Sequence, residues 1–299
     1  MMNWLFFALL APAVLTITIF TDKYIVGNAV KDYRGVVLMQ ALMGFFVGTF
    51  FWIATGFPRL GAFDACIVLT SGILTIFAGA FYFKALKEEE ASYIIFMLQM
   101  IPIFVMILSF LLLKETISLR QLLGFCIVLL SAMAVAIDDW KKIFHFPKLF
   151  WTLIIMDFLF ALASVLVKFA INATSFAQIL SYESWGISIG GIFLYAFIPH
   201  IRKAFHEIVT TVGKRILGVM FLNEGIYVLS KSLSYFAYSI GPVALVSVIG
   251  STQIFFGIFA GWILTLILPH LFNEKISRHD LFQKVGFALL MIVGIILIF

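Results

Sequence analysis

The sequence predicts an all-α polytopic membrane protein whose ten transmembrane helices form two inverted five-helix repeats. Three observations predict it. Apolar stretches of roughly 18 to 27 residues recur about ten times along the 299 residues, and a helix rising about 1.5 Å per residue needs roughly 20 residues to cross a hydrocarbon core of about 30 Å. Hydrophobic residues make up 63% of the chain and charged residues 12%, at a mean hydropathy of +1.13. An average soluble chain carries about 25% charged residues, so this one has too little polar surface to face water. Third, short motifs return in the same order in the two halves.

The first span is predicted at 3–26; no Lys or Arg precedes its apolar run, so it reads as a retained span rather than a signal peptide. The second, at 35–53, stops at the turn Gly56-Phe57-Pro58-Arg59. The third, at 62–85, runs into Glu88-Glu89-Glu90, read as a solvated acidic turn at the N-terminus of the fourth, at 91–113. The fifth, at 120–137, is followed by a polar stretch ending in Pro147-Lys148, and the sixth occupies 149–171. Pro199-His200 closes the seventh (176–198), and Gly241-Pro242 separates the eighth (215–238) from the ninth (242–268). The tenth is predicted at 281–299, and the first and ninth are long enough to tilt. Backbone in lipid must satisfy its own hydrogen bonds, and no alternating strand pattern for a barrel occurs, so the spans are helices.

The repeat divides the chain into residues 1–140 and 148–299. Ile103-Phe104 aligns with Ile254-Phe255, Lys114 to Ser118 with Asn273 to Ser277, Gly124-Phe125 with Gly286-Phe287, and Lys23-Tyr24 with Lys168-Phe169. Five spans is an odd number, so the second copy lies upside down relative to the first, the sequence pattern of alternating-access transporters.

The run from Pro102 through Glu115 and Gln121 to Gly124 resembles the signature of EamA-type drug/metabolite transporters. In that family a Pro in the fourth span precedes a Glu at its exit, then a Gln and a Gly that open the fifth. The second half is similar more loosely, with Gln253 standing where the Pro would be. The resemblance implies a ten-helix fold around a central cavity, with the first four helices of each half surrounding it and the fifth and tenth at the periphery. It also implies export or exchange of amino acids, other metabolites, nucleotide sugars or lipid-linked sugars, and it supplies no universal set of substrate ligands.

A charge at mid-bilayer costs about 2.5–3.5 kcal/mol on insertion scales, so each one there needs a reason. Asp157 in the sixth span, Glu183 in the seventh, and Asn223, Glu224 and Lys231 in the eighth are the candidates for binding a polar or cationic group or a proton. Glu224 and Lys231 are two turns apart on one helix face, and antiparallel neighbours bring Glu183 to the depth of Lys231. The competing reading of these groups is a structural ion pair. Asp22, Lys23, Tyr24 and Lys168 are gate candidates, because inversion places Lys23 and Lys168 near opposite faces; snorkelling to headgroups is the alternative. Gln99 and Gln253 are polar candidates for the cavity or for helix-to-helix hydrogen bonds. Glu115 reads as structural, and the small-residue runs Gly186 to Gly191 and Gly250-Ser251-Thr252 as surfaces of close packing or rocking.

The longest loops, about 12 to 16 residues, leave no room for a soluble domain. No nucleophile motif, nucleotide-binding loop or metal-ligand spacing occurs, so the expectation is a protein that is not an enzyme and carries no cofactor and no metal. Cys66 and Cys126 read as buried small hydrophobes, and the five histidines as solvated loop residues. The net charge of +5 lies beside spans and signals orientation, with no nucleic-acid partner. Fourteen of the 20 basic residues fall on one side, Arg59, Lys114 and Arg120 on the other, and Lys23, Lys168 and Lys231 within spans. The rich side is cytoplasmic by the positive-inside rule, which puts both termini outside the cytoplasm of a cell (inner) membrane, opposite to the usual arrangement of the family. The expected partners are the bilayer and a small-molecule substrate, with a proton or substrate gradient as energy source. A monomer suffices, and a dimer stays open. The function read from these features is a secondary transporter of a small polar or amphipathic metabolite, with export or exchange favoured by resemblance. A flippase for a lipid-linked sugar or polyprenyl phosphate and a nontransporting membrane scaffold are the alternatives.

Overall fold

The computed structural model describes residues 4–57, 59–89, 91–136, 149–171, 174–267 and 278–299, and every regular element among them is helical. Helix α1 spans Trp4–Tyr24 and passes into a π turn at Ile25–Ala29; α2 spans Val36–Ala54 and α3 spans Ala62–Glu88. The fourth apolar stretch is broken into α4, Ala91–Leu98, and α5, Met100–Leu108, followed by a π turn at Ser109–Leu113 and by α6, Leu119–Ala136. The second half holds α7, Phe150–Ile171; α8, Phe176–Phe197; α9, Pro199–Thr211; and α10, Lys214–Ile240. It closes with α11, Val243–Gly250; α12, Gln253–Ile267; and α13, Arg278–Ile298.

Eight described helices are long and apolar enough to cross a membrane, or nine if α8 and α9 count as one bent span, and α13 contains a shorter apolar stretch, Lys284–Ile298. The outer face of the bundle is apolar: Trp151, Phe197 and Leu222 are each more than 70% exposed, which only lipid tolerates on this scale. The protein is therefore an integral multi-pass membrane protein.

Three spans depart from a continuous helix. Pro102 has no N–H to give the carbonyl four residues back, and the chain takes a tight turn in which the Gln99 N–H donates to the Phe96 carbonyl at 3.1 Å. The matching span in the second half breaks without a proline: at Ser251 and Thr252 the amides donate to Val248 and Ile249 three residues back, at 3.1 and 3.0 Å. At the seventh span, Pro199 starts α9 at its first position and the axis turns by 108°. Residues 199–211, read from sequence as a loop, are thus an amphipathic helix that buries Ile201, Ala204 and Ile208 and carries His200 and His206. Cys66 and Cys126 are both exposed on helix surfaces, not buried; lipid accepts a thiol as readily as a core does. The matched run at 273–277, Glu90, Pro58, Pro147-Lys148, His145 and His270 lie outside the described residues.

Packing pairs the helices across the two halves. α2 runs along α8, α6 along α13, and α5 against α11. α3 packs on α7 as α10 packs on α1, and α5 on α7 as α11 and α12 pack on α1. Small residues permit the approach: a Cβ on Gly124 would sit 2.6 Å from the Gly294 carbonyl, and one on Gly44 would sit 2.7 Å from the Ser184 carbonyl. Serines bind the pairs, with Ser71 Oγ donating to Ala163 O (3.1 Å), Ser181 to Gly48 O (2.8 Å) and Ser230 to Ala11 O (2.8 Å). One end of the bundle gathers Trp4, stacked on Phe299 at 5.2 Å and pressed on Gly241. The opposite end gathers Tyr33, whose hydroxyl meets Glu88 at 3.3 Å, and Lys87, which donates to the Val26 carbonyl at 3.5 Å.

Candidate functional site

A cavity of about 870 Å³ occupies the middle of the bundle, walled by α1, α3, α4, α5, α7, α10, α11 and α12, with further contributions from α2 (Gln40), the end of α6 and α13. It reaches from Tyr238 near the Trp4 end to Lys23, Leu86 and Lys284 toward the Glu88 end. The helix breaks face it: Gln99 and Pro102 line one side, and Ser251 and Gln253 the other. Both glutamines considered for the cavity are thus on its wall, where interrupted helices present backbone and side-chain polar groups to a solute.

Part of the charge lies on this wall. Asp22 from α1 accepts a hydrogen bond of 2.8 Å from Asn223 Nδ2 of α10, and Glu224 follows on the same helix. Asp22 and Glu224 lie close enough to feel each other's charge, with Tyr82 of α3 and Tyr227 of α10 beside them. Asn223 is 4% exposed, and its Oδ1 has no hydrogen-bond partner among the described residues; Gln40 Oε1 and the Tyr82 hydroxyl are in the same position.

Glu183 and Lys231 are elsewhere. The pairing expected from their depths forms: Lys231 Nζ is 2.6 Å from Glu183 Oε1, and the Tyr235 hydroxyl donates to the same oxygen at 2.6 Å. The Lys231 ammonium also lies over the rings of Tyr227 (5.5 Å) and Tyr235 (5.6 Å). Glu183 is 1% exposed and does not line the large cavity, so the pair joins α8 to α10 behind its wall. Asp157 is fully buried in α7, off the cavity, with neither carboxylate oxygen hydrogen-bonded among the described residues.

Lys168 stands at the Trp4 end. Its Nζ donates to the carbonyls of Tyr238 (2.5 Å) and Gly241 (2.9 Å), and stands 3.6 Å from Glu115 Oε1. The other Glu115 oxygen accepts the Val243 N–H at 3.0 Å. Lys114 has a left-handed backbone (φ 54°, ψ 27°), which ends the fourth span and turns Glu115 back into the bundle. One lysine and one glutamate therefore tie the exit of the fourth span to α7 and to the α10–α11 junction. Lys23 at the opposite end is exposed on the cavity rim and has no ion pair among the described residues, and Tyr24 packs in the core beside Val26 instead of lining the cavity. Tyr82, Tyr227 and Gln40 are not among the residues the sequence singles out. Helical spacing held the signal for one of them: Tyr227 lies between Glu224 and Lys231 on the same face of α10.

Apolar helices around a central cavity that carries a few charged and amide groups define the class: a polytopic membrane protein. Residues 2–137 match the model of the EamA-like transporter family, a stretch that includes the run from Pro102 to Gly124. A solved crystal structure of a protein is similar over 98% of this chain and 94% of that chain, with a TM-score of 0.67 at 17% identity, which is a likeness of fold. No curated protein matches the chain.

Proposed function

We propose that this chain is a secondary transporter that moves a small polar or amphipathic metabolite across the membrane by alternating access. The observation that carries the reading is the cavity itself, which reaches the Glu88 end and is fastened at the Trp4 end by Lys168 and Glu115. In this reading residues 1–140 and 148–299 are two inverted five-span units, supported by the paired packing of α3 on α7 and α10 on α1. Lys168 fastens one face, and Lys23 is its counterpart for the other. Asp22, Asn223 and Glu224 contact the solute, with Gln99 and Gln253 at the helix breaks. Glu183 and Lys231 hold α8 to α10, and Asp157 stands outside the solute path.

The Glu88 end carries Lys31, Arg34, Lys84 and Lys87, so the basic bias makes it the cytoplasmic face of a cell membrane and leaves the termini outside. A cavity facing the cytoplasm suits export. Flipping of a polyprenyl phosphate has thinner support, because Lys168 and Lys231 are already engaged by protein groups. Purified protein in proteoliposomes, tested against a metabolite panel with and without a pH gradient, decides the matter. Saturable flux of one class of solute is expected. Folded protein that moves none of them, while scrambling a labelled polyprenyl phosphate, overturns the reading.

A further inference from the structure

Within the cavity, α1, α2 and α10 bring oxygen acceptors together. Asp22 and Glu224 bring carboxylates, and Asn223 and Gln40 bring amide oxygens with no donor among the described residues. With Asn223 only 4% exposed, an unmatched Oδ1 there is costly without a donor. Its Nδ2 is already engaged by Asp22, so the oxygen is the side chain's remaining hydrogen-bonding group. The Tyr227 and Tyr82 rings complete the wall. Lys231, which acts on Glu224 along α10, is held by Glu183 at 2.6 Å and makes no ion pair with Asp22 or Glu224 among the described residues.

We infer that Asp22, Asn223, Glu224, Gln40 and Tyr227 form the binding site for an ammonium group, making the transported solute a primary amine or a polyamine. The inference deepens the transporter reading and rests on it only for the word transported. An ammonium offers three donors and no acceptor, which matches a cluster made of acceptors. Its charge offsets two carboxylates that otherwise repel each other across a desolvated space. The protein already houses one such group in a comparable setting, since the Lys231 ammonium sits against a carboxylate and over two tyrosine rings, and Tyr227 belongs to both places. Dimensions agree as well, since about 870 Å³ leaves ample room behind the cluster for an alkyl chain against Ile19, Phe83 and Leu98. Lys23 and Lys284 line the cavity toward its Glu88 end.

Radiolabelled putrescine binding to the full chain in nanodiscs is the test, with n-butylamine, butanediol and succinate as competitors. Saturable binding is expected, displaced by n-butylamine and by neither butanediol nor succinate. Asp22→Asn and Glu224→Gln should each weaken it at least about tenfold, the loss of one charge-assisted hydrogen bond, while Glu224→Asp retains most of it. Absence of saturable putrescine binding, equal competition by succinate or butanediol, or unchanged affinity in both folded variants overturns the inference. If neither variant folds, the competition profile of the unaltered protein decides alone. Flux of another solute without amine binding would sink this inference and leave the transporter reading standing; amine binding without flux would do the reverse.

Discussion

Replacing Lys168 by Met should release the Trp4 end of the cavity. The methionine keeps the volume and removes the ammonium, and with it two hydrogen bonds to the carbonyls of Tyr238 and Gly241 and the ion pair with Glu115. A hydrogen bond from a charged donor is worth about 1.5–3 kcal/mol net, and a partly exposed ion pair about 0–1 kcal/mol. Lys168 keeps 12% of its side chain exposed, and opening lets water replace these partners, so roughly 3 kcal/mol of the total favours the closed end. That corresponds to a shift of about 150-fold between the two states. The assay is a single cysteine at Ser234 on the cavity wall, in a background lacking Cys66 and Cys126, labelled with a membrane-impermeant maleimide from either side. Unaltered protein should label from the Glu88 side, and the Lys168→Met variant from the Trp4 side as well. A Glu115→Gln addition checks that an unpaired carboxylate is not the cause. Folded variant protein that still labels only from the Glu88 side would refute the assignment of Lys168 as a latch.

Two further expectations concern the helix contacts. Glu183→Gln and Lys231→Met each strand the partner in a buried site, costing about 3–5 kcal/mol and lowering the thermal midpoint of the purified protein, whereas the double variant should recover most of the loss. A double variant less stable than either single one would show that the pair does more than balance charge. Gly72→Ala should cost about 1–3 kcal/mol, because its Cβ would collide with the Glu183 carbonyl of α8. Gly218→Ala, with open space around it, should leave the midpoint unchanged, and equal effects of the two would contradict the close contact of α3 and α8.

The spans were legible because lipid imposes one rule on every apolar stretch, and the predicted bounds fall within a few residues of most helices. The interruption at Gln99 had a sequence cause in Pro102, yet Pro in a membrane helix kinks or passes according to its neighbours. The break at Ser251 had no such marker. The helix at 199–211 was hidden because Arg202, Lys203 and His206 fill its exposed face, although Ile201, Ala204 and Ile208 repeat at helical spacing. Among the charged residues, the sequence gives depth but not azimuth to better than a helix face. Depth was enough to join Glu183 to Lys231. It could not tell that Glu183 and Asp157 turn away from the cavity while Glu224 borders it, nor that the turn at Lys114 aims Glu115 at Lys168.

The paired packing of the two halves has one exception, and the exception accounts for the position of the cavity. Exchanging the halves turns the contact of α3 with α8 into a contact of α10 with α2. The first is close along its length, where Gly72, Gly186 and Gly190 leave no room for a Cβ. The second is slight: Phe46 meets Phe221 at 6.2 Å, and a void of about 20 Å³ bordered by Gln40, Gly44, Glu224 and Lys231 lies between α2 and α10. Two units of similar construction therefore stand in different arrangements, one closed and one parted. Because packed helix interfaces favour discrete arrangements over graded deformation, the exchange of these roles is the simplest second state open to the chain. In the alternating-access reading proposed above, α10 would close on α2 in that state, carrying Glu224 and Asn223 with it, while α3 would part from α8.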